Sequence, residues 1–347
     1  MATPSHWFQQ LTSNSSFRIP HSRSIRSGPS GLAKARWKIL REGADWKSFP
    51  ITESCKSSWK SVDQRGTVTS GAIKCLLESL DSSDRCEMVT LFPNGNRATV
   101  CVSSQIGCGV GCIFCATGTM GLKRNLSYLE IVEQVYLARQ LAMLSGRHLR
   151  NVVFMGMGEP LHNLSEVIEA IRWILSDVGF GISQRCVTVS TSGGNSAMIA
   201  LARQFPSVRL AVSLHAADHD LRRRLMPRAP NDLDALKETI RETNALQQAA
   251  SLQKSAPVWL EVVLLAGIND SESHARQLIE FCEGLAVEVN LIPYNPIQSD
   301  ERLLTTDNTV HKRFANQLRS AGIVTTIRQS LGGRDNAACG QLVVKNG

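Results

Sequence analysis

At 347 residues, with 43% hydrophobic and 20% charged residues, the chain has an ordinary globular balance and is long enough for one large domain, or a large and a small one. No apolar run reaches the roughly 18–20 residues that cross a bilayer, and no compact apolar stretch stands ahead of a small-residue cleavage site, so a membrane or secreted protein is not expected and a cytoplasmic one is. Lys plus Arg exceed Asp plus Glu by 38 to 30, a formal charge of +8, which suits a polyanionic partner such as nucleic acid; a basic protein without one is the plain alternative.

Residues 1–33 are rich in Ser, Pro and Arg, and no acidic residue precedes Glu42. This segment reads as a flexible basic arm, with an organelle transit peptide or a start assigned too early as the alternatives. Residues 34–85 carry Trp37, Trp46, Trp59, Ile73, Leu76 and Leu77 among polar positions, which predicts a small, mainly helical domain. From residue 86 to 334 short β-branched runs recur at Arg97–Ser103, Asn151–Met155, Cys186–Ser190, Arg209–Leu214, Val258–Leu265, Val287–Ile292 and Val324–Arg328. Stretches with helical spacing separate most of them, one opened by the capping box Ser127-Tyr-Leu-Glu130. Strand and helix in alternation mean an α/β fold with a parallel sheet. No Gly-x-Gly-x-x-Gly follows the first strand, so a partial (β/α)6-type barrel is expected rather than a dinucleotide-binding sheet, with its site at the C-terminal ends of the strands.

Ten cysteines are scattered along the chain except at Cys108, Cys112 and Cys115, which fall within eight residues. Clustering of this kind points to a metal or to catalysis in a reducing compartment. Gly107, Gly109 and Gly111 let the loop curl so that amides face the sulfurs. Three thiolates leave the fourth iron of a 4Fe–4S cluster open to a further ligand. The alternative is zinc, but structural zinc takes four ligands, usually as two Cys-x-x-Cys knuckles, and the nearest other cysteine, Cys101, lies seven residues earlier across an expected strand end.

The Cys-x-x-x-Cys-x-x-Cys spacing with Phe114 before its last cysteine resembles the radical S-adenosylmethionine (SAM) superfamily. Cys115-Ala-Thr-Gly118, Gly121–Ser127, Met155–Leu161, Val187–Gly193, Ser213–Ala216, Ile292–Pro296 and Ala337–Leu342 together resemble the RlmN/Cfr family of radical SAM RNA adenine methyltransferases, in the same order over residues 86–347. The resemblance implies a 4Fe–4S cluster on Cys108, Cys112 and Cys115, and two molecules of SAM per turnover. It implies cofactor contacts at Gly158, Glu159, Ser190, Ser213, Leu214, His215 and Asn295. It also implies a methyl group carried on Cys339 in a C-terminal segment 335–347, a resolving thiol at Cys101 that forms a transient disulfide with it, and a proton acceptor at Glu87. The partners implied are ribosomal RNA, with transfer RNA as a second substrate, and an external electron donor such as flavodoxin or ferredoxin; a monomer is expected.

Several readings stay open in the sequence. Carbon 2 of adenine is the default target, with carbon 8, as in the antibiotic-resistance branch, as the alternative. Gly332–Cys339 departs from the family's Gly-Asp-Asp-Ile-x-Ala-Ala-Cys, and the first 90 residues match only loosely. A radical SAM enzyme acting on a protein or small molecule, or a zinc- or redox-dependent RNA-binding protein, are the competing classes. Without the resemblance, Ser190 reads as a helix N-cap, His215 as a satisfied polar residue and Glu87 as an exposed edge-strand carboxylate. Arg147, His148, Arg150, Arg222, Arg223, Arg224 and Arg228 are candidate phosphate contacts or a solvated basic face.

Overall fold

A computed structural model describes residues 58–79, 82, 84–177, 179–250, 257–297, 303–328 and 339–342. The expected basic arm, residues 34–57 of the expected helical domain, and most of the C-terminal segment lie outside the described residues.

Among the described residues, ten strands form one mixed sheet. β1 (Trp59–Thr67), β2 (Ala72–Ser79), β3 (Arg85–Leu91) and β4 (Arg97–Cys101) pair antiparallel in order. From β4 onward every pairing is parallel, through β7 (His148–Phe154), β8 (Val187–Thr191), β9 (Arg209–Ser213), β10 (Val258–Leu264), β11 (Val287–Pro293) and β12 (Thr325–Ile327). A separate hairpin, β5 (Gln105–Gly107) with β6 (Leu122–Asn125), brackets the cysteine loop and the short helix α1 (Ala116–Thr119). The helices that return the chain between parallel strands are α2 (Tyr128–Leu144), α3 (Leu164–Leu175), α4 (Asn195–Gln204), the pair α5 (His219–Leu225) and α6 (Leu233–Ala250), α7 (Glu272–Cys282) and α8 (Asn308–Ser320). They make six crossovers, the repeat expected of a partial (β/α)6 barrel, and the seven expected strands are the seven parallel ones.

The pleat divides the strands into two faces. Val152, Phe154, Val187, Val189, Leu210, Val212, Leu260 and Val262 are buried against Ile131, Val135, Ile171, Ile174, Met198, Leu201 and Ile240 of the helices. The other face is polar. Ser190 aligns with Ala211, and Ser213 with Glu261, then Asn290, then Thr326. The capping box of α2 forms as expected: Ser127 accepts from the Glu130 amide and the Glu130 carboxylate accepts from the Ser127 amide.

The structure corrects one expectation. Over residues 58–79 the chain is a β-hairpin joined to the main sheet, not helical. Ile73, Leu76 and Leu77 have helical spacing, but β2 is buried on both faces, and a strand buried on both faces shows no period of two. β1 docks on α2, where the Trp59 indole Nε1 donates to the Glu130 carbonyl at 3.1 Å. Among the described residues no helix is long and apolar enough to cross a membrane.

Phe154, fully buried in the main core, should be the costliest truncation of the outer face: Phe154→Ala should lower stability by about 3–5 kcal/mol, read by anaerobic denaturant unfolding.

Candidate active site

The cysteine loop runs from the end of β5 into α1. Cys108 N–H donates to the Gly121 carbonyl at 2.9 Å, and Gly118 N–H to the Cys115 carbonyl at 2.9 Å. The amides of Val110 and Gly111 donate to the Cys108 sulfur, and the amides of Gly118 and Thr117 to the Cys115 sulfur. A Cβ at Gly118 would lie 2.6 Å from the Cys112 carbonyl oxygen, so the tight curl requires glycine there. An apolar floor of Val110, Phe114, Leu225, Met226, Leu265 and Tyr294 carries the loop. Phe114 meets the His215 ring edge-on at 4.6 Å between centroids.

Burial raises all three thiols, Cys108 to about 11; neighbouring cysteines of the loop raise Cys108 and Cys112 further, and Cys339 adds to the rise at Cys115. Such sulfurs ionise together only around a strongly positive centre. Among the described residues no three His, Cys, Asp or Glu side chains converge closely enough to hold one metal ion. A cluster, in which each thiolate meets a different iron, would supply such a centre.

Gly158 and Glu159 follow β7. Gly158 has φ +102°, and a Cβ there would fall 2.6 Å from Gln105 Cβ. Glu159 is buried; its Oε2 accepts from the Ser192 amide at 2.7 Å and its Oε1 from the Leu161 amide at 3.1 Å. Its charge acts on Cys108 and Cys112. Ser190 and Ser213 end adjacent strands with their hydroxyls 3.4 Å apart. Leu214 is fully buried and its amide donates to the Glu261 carbonyl at 3.0 Å. His215 has φ +59°. Its Nδ1 accepts from the Val263 amide at 3.1 Å, and burial, then Arg222, lowers its pKa to about 3. The imidazole is therefore neutral and acts as a prop beneath Phe114.

The tail returns to this loop. The Gly340 carbonyl accepts from the Ala116 amide at 2.7 Å, and the Leu342 carbonyl from the Thr117 hydroxyl at 2.5 Å. Asn295 Nδ2 donates to the Cys339 carbonyl at 3.2 Å, and Gln341 Nε2 to the Pro296 carbonyl at 3.3 Å. Cys339 then influences Cys115 on one side and Cys101 on the other. Cys101 and Cys339 are both free thiols. Burial, then Cys339, pushes Cys101 up to about 12, while Arg328 opposes the rise. The Arg328 guanidinium lies 3.6 Å from Glu261 Oε2 and 3.7–3.8 Å from the Met155 sulfur; Asn290 Nδ2 donates to Glu261 Oε1 at 3.1 Å. Glu87 is not an exposed edge carboxylate: β3 lies between β2 and β4, and Glu87 is 5% exposed.

The basic groups divide three ways. Arg222 is fully buried, where it donates to the carbonyls of Ser213 (2.8 Å), Leu214 (2.5 Å) and Ser192 (2.6 Å), so it is no phosphate contact. Arg147, His148 and Arg150 lie at the start of β7, the end of a parallel strand opposite the site. Arg223, Arg224 and Arg228 are exposed, with Arg228 Nη1 3.3 Å from the Gly109 carbonyl at the cysteine loop. Sequence reasoning missed Lys74, Glu261 and Arg328. A signal existed for the first two: each is a lone charge inside an apolar strand run, a position rarely occupied unless the charge is paired.

Known proteins offer comparisons. The profile of the radical SAM superfamily matches residues 102–279. A probable RNA methyltransferase from Rhodopirellula baltica is 38% identical over 92% of this chain and 84% of its own length. The dual-specificity RNA methyltransferase RlmN of Marinobacter nauticus is 42% identical over 76% of this chain and 70% of its own. The crystal structure of a radical SAM methyltransferase from Sphaerobacter thermophilus superposes with a TM-score of 0.82 at 36% identity, covering 91% of this chain and 93% of that one.

Thr117 joins cysteine loop and tail. Thr117→Val should loosen the tail by about 1 kcal/mol, so the amides of residues 339–342 should exchange hydrogen roughly fivefold faster by mass spectrometry.

Proposed function

This chain belongs to the radical SAM superfamily and, within it, to the RlmN-type RNA methyltransferases, and from that premise we propose that it methylates carbon 2 of an adenine in RNA through a carbon carried on Cys339. The observation that supports this reading is the docking of the tail: four hydrogen bonds hold residues 339–342 against the cysteine loop and the end of β11. A radical SAM enzyme acting on a protein or a metabolite has no need of a tail thiol there.

Cys108, Cys112 and Cys115 would hold the 4Fe–4S cluster, which when bound supplies the electron that cleaves SAM. Gly158 and Glu159 offer the close backbone and the carboxylate for the methionine end of SAM, while Ser190, Ser213, Leu214 and Asn295 line its other end; His215 contributes by supporting the loop. Cys339 carries the carbon that joins the ring. Glu87 accepts the ring proton. The Cys101 thiolate then attacks the Cys339 sulfur, an S–S bond forms, and the carbon–sulfur bond breaks with its electron pair left on carbon, where a proton completes the methyl group. Arg328 favours the ionised form of Cys101. A dithiol reductant and a flavodoxin- or ferredoxin-type donor restore the resting enzyme, and two SAM molecules serve each turnover. Ribosomal RNA is the primary substrate and transfer RNA a second. Arg223, Arg224 and Arg228 are the exposed cations nearest the loop suited to its phosphates.

Nucleoside mass spectrometry of RNA from cells lacking the protein should show loss of 2-methyladenosine; an unchanged profile would overturn the reading. Cys101→Ala should leave RNA covalently attached to Cys339, seen as a mass adduct on the tail peptide. In the unaltered enzyme, release of the adduct by Cys101 should accelerate about tenfold per pH unit through the neutral range, because a thiol well below its pKa gains thiolate at that rate. Arg328→Met should lower the line without changing its slope, since removing the cation raises the thiol further.

A further inference from the structure

Lys74 sits in the middle of β2, flanked by Ile73 and Cys75, with its side chain 8% exposed. Its Nζ is 2.9 Å from Glu87 Oε1, and the Glu87 side chain is 6% exposed. A lysine and a glutamate buried this far are each unfavourable alone and stable as a pair. The register places the pair beside the reacting thiols. Lys74 is opposite Val89, and Val89 is opposite Cys101; Glu87 is two residues from Val89, on the same face. The Glu87 backbone is held from the site side: Ser103 Oγ donates to its carbonyl at 2.6 Å and accepts from the Met157 amide at 2.8 Å. Lys74 holds the carboxylate end.

We propose that Lys74 is the positioning residue for Glu87, fixing its carboxylate and keeping it ionised so that it can take the ring proton. The proposal rests on the reading of Glu87 given above. The step it serves follows carbon–carbon bond formation and loss of one electron from the ring adduct to a one-electron acceptor of the iron–sulfur class. The ring carbon then holds both its hydrogen and the new carbon. Its C–H bond breaks, the pair returns to the ring and restores aromaticity, and the proton moves to the Glu87 carboxylate. Such a proton is acidic, so a weak base suffices provided it is charged. Among the described residues, the carboxylates of the neighbouring β2 and α2 are engaged elsewhere. Glu78 of β2 is paired with Lys60 and Arg85, and Glu130 of α2 with Arg124 of β6; Cys86 of β3 and Cys101 of β4 are thiols whose burial keeps them neutral.

The test is single-turnover methylation of RNA by the full-length, cluster-loaded enzyme across pH, together with mass measurement of the methyl on Cys339. Lys74→Met should keep the methyl on Cys339, slow ring methylation at neutral pH by roughly tenfold or more, and move the acidic limb of the profile up by about one unit or more, the size expected when a buried carboxylate loses its counter-charge. Lys74→Arg should restore the wild-type limb. If Lys74→Met does not fold, Lys74→Gln carries the same expectation. An unmoved limb, or loss of the Cys339 methyl in step with turnover, would overturn the assignment, the latter by revealing a merely structural lysine. Glu87→Gln separates the two levels. Wild-type turnover in that variant defeats the role given to Glu87, whereas a stalled Glu87→Gln beside an unshifted Lys74→Met defeats only the role of Lys74.

Discussion

The docking of four tail residues on the cysteine loop is the constraint on which the site depends. Thr117 is its pivot: the hydroxyl that donates to the Leu342 carbonyl belongs to a residue that also hydrogen-bonds the Cys115 sulfur. A change at the loop is thereby felt at the tail. Cys339 is brought next to Cys101 and Cys115 although most of the barrel lies between them in sequence. Backbone carbonyls of the tail do most of the holding, through Ala116, Thr117 and Asn295, so the Cys339 side chain is placed without its sulfur being consumed as an anchor.

A second constraint is the polar inner face of the sheet. Parallel strands under helices are usually apolar on both faces, and a closed barrel fills its interior with branched side chains. Here the inner face carries Lys74, Glu87, Glu261 and Arg328. Charges at such depth persist only when matched, and these are matched in pairs, Lys74 with Glu87 and Arg328 with Glu261. The two pairs lie on either side of Cys101, one toward β2 and the other toward β12. The antiparallel extension β1–β3 therefore contributes a buried ion pair to the same inner face as the barrel strands.

How much of this was legible follows from what each signal reports. The seven parallel strands were visible because runs such as Val287–Ile292 are β-branched and bounded by turn residues. The α2 start was visible because a capping box is local. The hairpin of residues 58–79 was not, since burial on both faces of β2 erases the alternation that marks a strand. Among three consecutive arginines the sequence did not single out the buried one, yet helical period does: Arg222 shares its face of α5 with Leu225 and Met226, at three and four residues' distance, while Arg223 and Arg224 face outward. The pairing of Lys74 with Glu87 depends on strand register across a turn, which composition does not encode.

The choice of cations follows the same physics. Cys112 faces Arg222, and Cys101 and Cys339 face Arg328. Burial lowers Arg222 to about 10, which leaves it charged at neutral pH. A lysine in the same pocket starts about two units lower, so equal burial would leave it a narrower margin of charge beside the sulfurs it must balance. Arginine also bonds several carbonyls at once, as Arg222 does with Ser213, Leu214 and Ser192. Lys74 differs in having a carboxylate in direct contact, its Nζ 2.9 Å from Glu87 Oε1. Guanidinium also meets carboxylate in this interior: Arg328 lies 3.6 Å from Glu261 Oε2 while its charge acts on Cys101 and Cys339, so one cation serves a carboxylate and two thiols.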